Sequence, residues 1–577
     1  MLQNPFRLPA LFAFLLILAA CTRDVDTGPI TVNESADDTA GGSTDEDTAG
    51  KTCNPDIHQA MTRWESAGFS GTVAIDGGEP YADQHCRGGY GFADRAEGTD
   101  MTADTTFSIG SITKAVTAAA IGGLAGDGLL DFDDPVSAHL PNATGPAAEV
   151  TIKQLLLHTG GLTGSHGRDD QPLTRTAAID AIGALDRAAA PGEEFLYSNA
   201  GYGLLALVID ELTGGYRDHL REHILVDGDG NRIGGFWNGE PAAPEPRAVG
   251  ITDGGAVGGD GTFAGPHWGL DGSGGVAMTT PELADWTRAF FNGRIIDTDA
   301  VAALLDLRFD QGDGTAEVPG WVSVSADAFG EPVLGTSGGG SDIGHEMTVA
   351  YLSDSDRVFV FASNDPAVRA EEVLQQMIGS LVAGQPPTGP AVAEGVDPEL
   401  ASGLVGEWEF GNGARFEVAA DTDAVRVTPL DGPAMELLLP VPNTEDAAAH
   451  EQLVLDVIDG ATEEGRNERR LLEEANGPIQ SIDVLGTWFA EFEYRTLLDV
   501  GFESEQTRLW LALDGAGGIA AAEVGAPFPS LRFLPRDDGS LAPIDQVSVD
   551  LGIRITVEDM QLEVHNNGTT ETATRTG

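Results

Sequence analysis

Phe107-Ser108-Ile109-Gly110-Ser111-Ile112-Thr113-Lys114-Ala115-Val116-Thr117-Ala118-Ala119-Ala120 sets a serine and a lysine three positions apart at the head of a run of small residues. The run predicts a helix over Ser111 to Ala125. Residues i and i+3 share a helix face, so the ammonium can lie beside the hydroxyl. A serine hydroxyl is a poor nucleophile until a neighbour removes its proton. A buried lysine gives up its own proton more readily and can be that neighbour. The helix N-terminus adds free N–H groups and a positive field, which favour a developing oxyanion. A surface lysine one turn after a helix-start serine would show the same spacing. The chain has only three lysines, Lys51, Lys114 and Lys153, so few such pairs are available.

Further along stands Pro191-Gly192-Glu193-Glu194-Phe195-Leu196-Tyr197-Ser198-Asn199-Ala200-Gly201-Tyr202-Gly203-Leu204-Leu205. Tyr197 offers a phenol as proton shuttle, and Asn199 an amide for substrate hydrogen bonding. A loop of this kind before a helix also fits simple capping by Ser198 or Asn199.

These segments resemble the serine β-lactamase-related family: class C β-lactamases, D-alanyl-D-alanine carboxypeptidases and the esterases that share their fold. Further stretches are similar to that family. They are Thr105-Thr106-Phe107, Asp131-Phe132-Asp133-Asp134-Pro135-Val136, Thr151-Ile152-Lys153-Gln154-Leu155-Leu156-Leu157-His158-Thr159-Gly160-Gly161-Leu162, and Gly272-Ser273-Gly274-Gly275-Val276-Ala277-Met278-Thr279-Thr280. The resemblance implies an α+β fold with an antiparallel sheet flanked by helices and a helical lobe. It implies a serine hydrolase that works through an acyl-enzyme on an ester, amide or β-lactam. It casts Ser111 as nucleophile, Lys114 as base and Tyr197 as proton shuttle, with Asn199 orienting the substrate. No cofactor or metal is implied. His158 is structural by the same resemblance.

The family's third motif, Lys-Thr-Gly or His-x-Gly on a strand lining the site, corresponds to Thr336-Ser337-Gly338-Gly339. Thr336 stands where lysine or histidine is usual. The resemblance assigns these four residues to substrate binding, and the N–H groups of Ser111 and Gly339 to the oxyanion. Losing the cation weakens the case for substrates that carry a carboxylate; an ester or amide needs none. His267 and His345 are the nearby candidates for a replacement cation. A binding protein on the same scaffold is the alternative that this departure suggests.

Outside this region, Leu8 to Ala20 is an apolar run of signal-peptide length ending in Leu18-Ala19-Ala20-Cys21. That ending resembles the lipobox of bacterial lipoproteins. It implies lipidation at Cys21, membrane attachment through the lipid and a place in the cell envelope, outer membrane in a bacterium that has one. Residues 21–52 are acidic and polar and predict a solvated tether. The remaining cysteines, Cys53 and Cys86, are candidates for a disulfide, since export permits one. The hydrolase region is expected over 53–384 and a Pro/Gly-rich linker over 385–397. A β-rich module follows over 398–577, similar in strand pattern to lipocalin-like appendages, with strands over Arg415–Val418, Val425–Val427, Leu453–Val457, Trp488–Tyr494 and Arg508–Leu513. Such a module is also a candidate for wall binding in its own right. Asp227-Gly228-Asp229-Gly230-Asn231 opens like an EF-hand loop, but Arg232 replaces its turn glycine and Asn238 its bidentate glutamate. With 31 basic against 92 acidic residues, the net charge of −61 excludes nucleic acid as a partner.

Overall fold

The computed structural model describes residues 52 to 576 apart from short internal stretches, of which 258–266 and 544–553 are the longest. The leader, Cys21 and the tether lie outside the described residues. The chain divides into two compact units between Gly389 and Pro390.

The first unit is built on a nine-stranded antiparallel sheet. Its order is Thr52–Cys53, His85–Tyr90, Gly71–Asp76, Arg357–Ser363, His345–Leu352, Val333–Gly340, Trp321–Val324, Thr315–Val318 and Phe309–Asp310. Every residue of His345–Leu352 and Arg357–Ser363 is buried. A strand buried at both parities has both sheet faces covered. The helices Thr280–Phe291 and Ala370–Val382 supply part of that cover against Arg357–Ser363. The first of them starts in a capping box between Thr279 and Glu282. A disulfide joins Cys53 to Cys86 at paired positions of neighbouring strands.

The helix carrying Lys114 runs over Thr113–Gly126 and buries Thr113 to Gly122 without a break. A helix that is buried all round must be thin, which explains the alanines and glycines. A Cβ on Gly122 would run into the side chain of Leu304. Each large aliphatic fully buried here, such as Ile112, Val116 and Ile121, stabilises the fold by about 1.5–3 kcal/mol. The helix starts later than the sequence suggests. Gly110–Ile112 form a 3-10 turn ahead of it, entered by Gly110 in the left-handed region.

The second unit holds a closed barrel of eight strands. Its inside is filled by Trp408, Phe410, Phe416, Phe533 and aliphatic neighbours. Between its third and fourth strands the chain inserts, among the described residues, the helices Gly432–Leu438 and Thr444–Ile458 and a four-stranded sheet. The expected strand Leu453–Val457 is therefore wrong: it lies within the second of these helices. A five-residue apolar run fits either structure. Here Val454 and Ile458, one helical turn apart, pack on Leu498, Val500, Leu509 and Leu511 of the sheet. The expected strand Trp488–Tyr494 is two strands, Ser481–Ala490 and Glu493–Gly501, joined as a hairpin with Ala490 opposite Glu493.

Candidate active site

Ser111 sits in the 3-10 turn, and Lys114 in the first turn of the α-helix that follows. Side chains at i and i+3 eclipse in 3-10 geometry. Lys114 Nζ accordingly donates to Ser111 Oγ at 2.9 Å. The same ammonium donates to the backbone carbonyl of Ser273 at 3.1 Å. Lys114 is only 3 % exposed, so these acceptors replace water around its charge.

Tyr197 comes from a distant loop and closes the triangle. Its hydroxyl donates to Ser111 Oγ at 2.8 Å, and its ring faces Lys114 Nζ at 4.7 Å from the centroid. The loop is held by His158. That residue adopts φ 54°, and its ring stacks on Tyr197 at 4.5 Å. Its Nδ1 accepts the Ser198 N–H at 3.0 Å, and its carbonyl accepts the Leu196 N–H at 2.7 Å. Burial first, and then the charge of Lys114, keep this imidazole well below its ordinary pKa. It is neutral and supports Tyr197. Ser198 Oγ caps the next helix, Asn199–Thr213, by accepting the Gly201 N–H. Asn199 is exposed in the first turn of that helix.

The carbonyl of Ser273 is fixed from behind. Tyr216 OH accepts the Gly272 N–H at 3.1 Å, and Thr117 Oγ1 donates to the Gly272 carbonyl at 2.9 Å. Arg217 forms a bidentate pair with the buried Asp271 carboxylate. Reading the sequence did not give Ser273 this part. Its only signal was the glycine-rich segment around it.

Thr336, Ser337, Gly338 and Gly339 lie on the Val333–Gly340 strand opposite Val349, Thr348, Met347 and Glu346. A Cβ on Gly338 would collide with the Ile109 carbonyl and the Ser111 backbone nitrogen. One on Gly110 would collide with the Gly339 nitrogen. The strand and the Ser111 turn thus meet backbone to backbone, which only glycine permits at both positions. Gly338→Ala is expected to lower kcat/KM by at least about a hundredfold, since displacing a reacting group by about 1 Å costs that much. Gly379→Ala, in an open helical position with nothing near its Cβ, serves as the control that keeps activity. Steady-state kinetics on both variants checks this.

Of the two histidines, His345 does not replace the missing cation. His345 is buried on the strand beside the third motif, opposite Gly340, and its Nδ1 accepts the Ser108 N–H at 3.2 Å. Burial pushes its pKa down to about 4, so it carries no charge at neutral pH. His267 is buried as well, with Nδ1 accepting the Gly269 N–H at 3.0 Å in a local turn. In the EF-hand-like stretch, the Asp227 carboxylate is taken up by its own turn, accepting from the backbone of Asp229 and Asn231 and from the Asn231 amide.

Fold and constellation together define a penicillin-binding-protein-like class of serine hydrolases. Residues 61–386 match the Beta-lactamase family model, and the chain belongs to that family. It is similar to Protein flp of Staphylococcus aureus (strain MW2), 36 % identical over 146 residues, which is 24 % of this chain and 29 % of the relative. It is also similar to PbpX of Bacillus subtilis (strain 168), 33 % identical over 198 residues, 34 % of this chain and 48 % of the relative. The chain therefore spans less than half the length of these relatives. In fold it is similar to the octameric penicillin-binding protein homologue from Pyrococcus abyssi, with a TM-score of 0.51 and 17 % identity over 90 % of this chain and 99 % of the other.

Proposed function

We propose that the chain hydrolyses uncharged esters or amides through an acyl-enzyme on Ser111. The observation that carries this reading is the position of Ser111 Oγ, within hydrogen-bond reach of both Lys114 Nζ and Tyr197 OH. In the first half-reaction Oγ attacks the carbonyl carbon and Lys114 takes its proton. The carbonyl oxygen, now an oxyanion, rests on the N–H groups of Ser111 and Gly339. Tyr197 passes a proton to the leaving group as the tetrahedral adduct collapses. In the second half-reaction Tyr197 draws a proton from water, which attacks the acyl carbon; as the acyl–oxygen bond breaks, Lys114 returns its proton to Ser111 Oγ.

The substrate class follows from Thr336. A charge-assisted hydrogen bond to a carboxylate contributes about 1.5–3 kcal/mol, or roughly ten- to a hundredfold in rate. Without it, p-nitrophenyl butyrate is expected to exceed nitrocefin and a D-Ala-D-Ala peptide in kcat/KM by at least about tenfold. Thr336→Lys is expected to narrow that gap. A wild-type protein that turned over nitrocefin as fast as the ester would defeat the substrate assignment. The reaction class is tested apart from it, by treating the chain with a fluorophosphonate and locating the adduct by mass spectrometry. Failure to label Ser111 would favour a binding protein on this scaffold.

A further inference from the structure

One buried acid has no part in the reaction so far. Glu317 lies on the Thr315–Val318 strand and is 2 % exposed. Its Oε2 is buried with no hydrogen-bond partner. A buried carboxyl left unsatisfied is costly, and so needs a reason to be there. The turn that follows Glu317 packs directly on the catalytic helix. A Cβ on Gly320 would lie 2.7 Å from the Ala115 nitrogen and 3.0 Å from the Lys114 carbonyl carbon. Glu317 thus stands three residues before a backbone contact with the Lys114 turn, on the same hairpin.

We propose that Glu317 is a positioning residue for Lys114: the carboxyl that faces the lysine from behind and, when ionised, holds it in the ammonium form. This rests on the reading of Lys114 as the base. The titratable groups that meet Glu317 are Lys114, from the catalytic helix, and the neutral phenol of Tyr202, from the Asn199–Thr213 helix. Tyr197 and His158 join the same group through Tyr202 and Lys114. Burial raises the proton affinity of the carboxyl well above the usual range, and the lysine charge draws it back. Coupling of this kind is reciprocal, so an ionised Glu317 favours the protonated lysine by the same free energy. The base form of Lys114 then appears at a higher pH than it would beside a neutral residue.

The sign of the test follows. Glu317→Gln keeps the shape and removes the charge. The acid limb of its kcat/KM profile for p-nitrophenyl butyrate is expected to move to lower pH by about one unit, which is roughly tenfold more activity on the acid flank. Glu317→Asp, which keeps the carboxylate, is expected to leave the limb near its wild-type position. Thermal unfolding verifies that each variant is folded; if Glu317→Gln is not, Glu317→Met removes the same charge and takes the same measurement. Superimposable acid limbs for the charge-free variant and the wild type would overturn the proposal. Failure of the underlying reading is distinguishable, because it appears as a Lys114→Arg variant that retains more than a tenth of the wild-type kcat/KM, whatever Glu317→Gln does.

Discussion

Ser111→Ala is expected to lower kcat for p-nitrophenyl butyrate by at least about three orders of magnitude and to abolish covalent labelling by a fluorophosphonate. The substitution removes the atom on which the mechanism converges. Ser111 Oγ is bonded by the Lys114 amine and the Tyr197 phenol, and neither can form the acyl bond in its place. Fold loss is not the expected cause. Ser111 precedes the buried helix, sits in a three-residue 3-10 turn and is only half-buried. Alanine therefore leaves no cavity in the core. Some rate above the uncatalysed reaction is expected to persist, since the two backbone N–H donors remain and an oxyanion hole works without its nucleophile. A variant that kept more than a tenth of wild-type turnover would show that another group carries the acyl chemistry.

The Ser111–Lys114 pair was legible in the sequence because its geometry is local: three residues of helix fix the distance. Tyr197 was legible only through its segment and its resemblance, since nothing in spacing brings a loop so far along the chain back to the helix. The supports of the site were not legible. The carbonyl of Ser273 is a backbone atom, so no side chain signals it. His158 was read as structural, but its stack under Tyr197 depends on a left-handed backbone that no periodicity reports. Glu317 looked like one of many acids, and only its burial sets it apart. The same rule divides the fold. The apolar spacing predicts helices over Thr280–Phe291 and Ala370–Val382, and the structure forms both at those bounds, the first behind a capping box. Leu453–Val457 is short and apolar, and the sheet it packs on, not its own composition, makes it a helix.

Lys114→Met and Lys114→Arg are expected to fall together, each losing about 10²–10⁴-fold in kcat/KM, the range of a general base. The comparison separates two roles that Lys114 can play. As a fixed positive charge it would steady the oxyanion, and arginine would serve nearly as well. As a base it must shed a proton, which a guanidinium does not do in proteins. The surroundings favour the second role. The amine reaches Ser111 Oγ directly, and it also donates to the neutral Ser273 carbonyl. Two tyrosine rings lie within 6 Å of it, Tyr197 at 4.7 Å and Tyr202 at 5.8 Å from their centroids. Methionine fits the length of the slot but strands the Ser273 carbonyl, a loss of about 1–3 kcal/mol for a buried acceptor. Unfolding midpoints must therefore be read beside the kinetics: a modest drop in stability accompanies the methionine variant, but it is too small to unfold the domain and account for the lost rate. Arginine that retained more than a tenth of the wild-type kcat/KM would sink the base assignment, leaving the lysine as an electrostatic anchor and Tyr197 as the group that takes the serine proton.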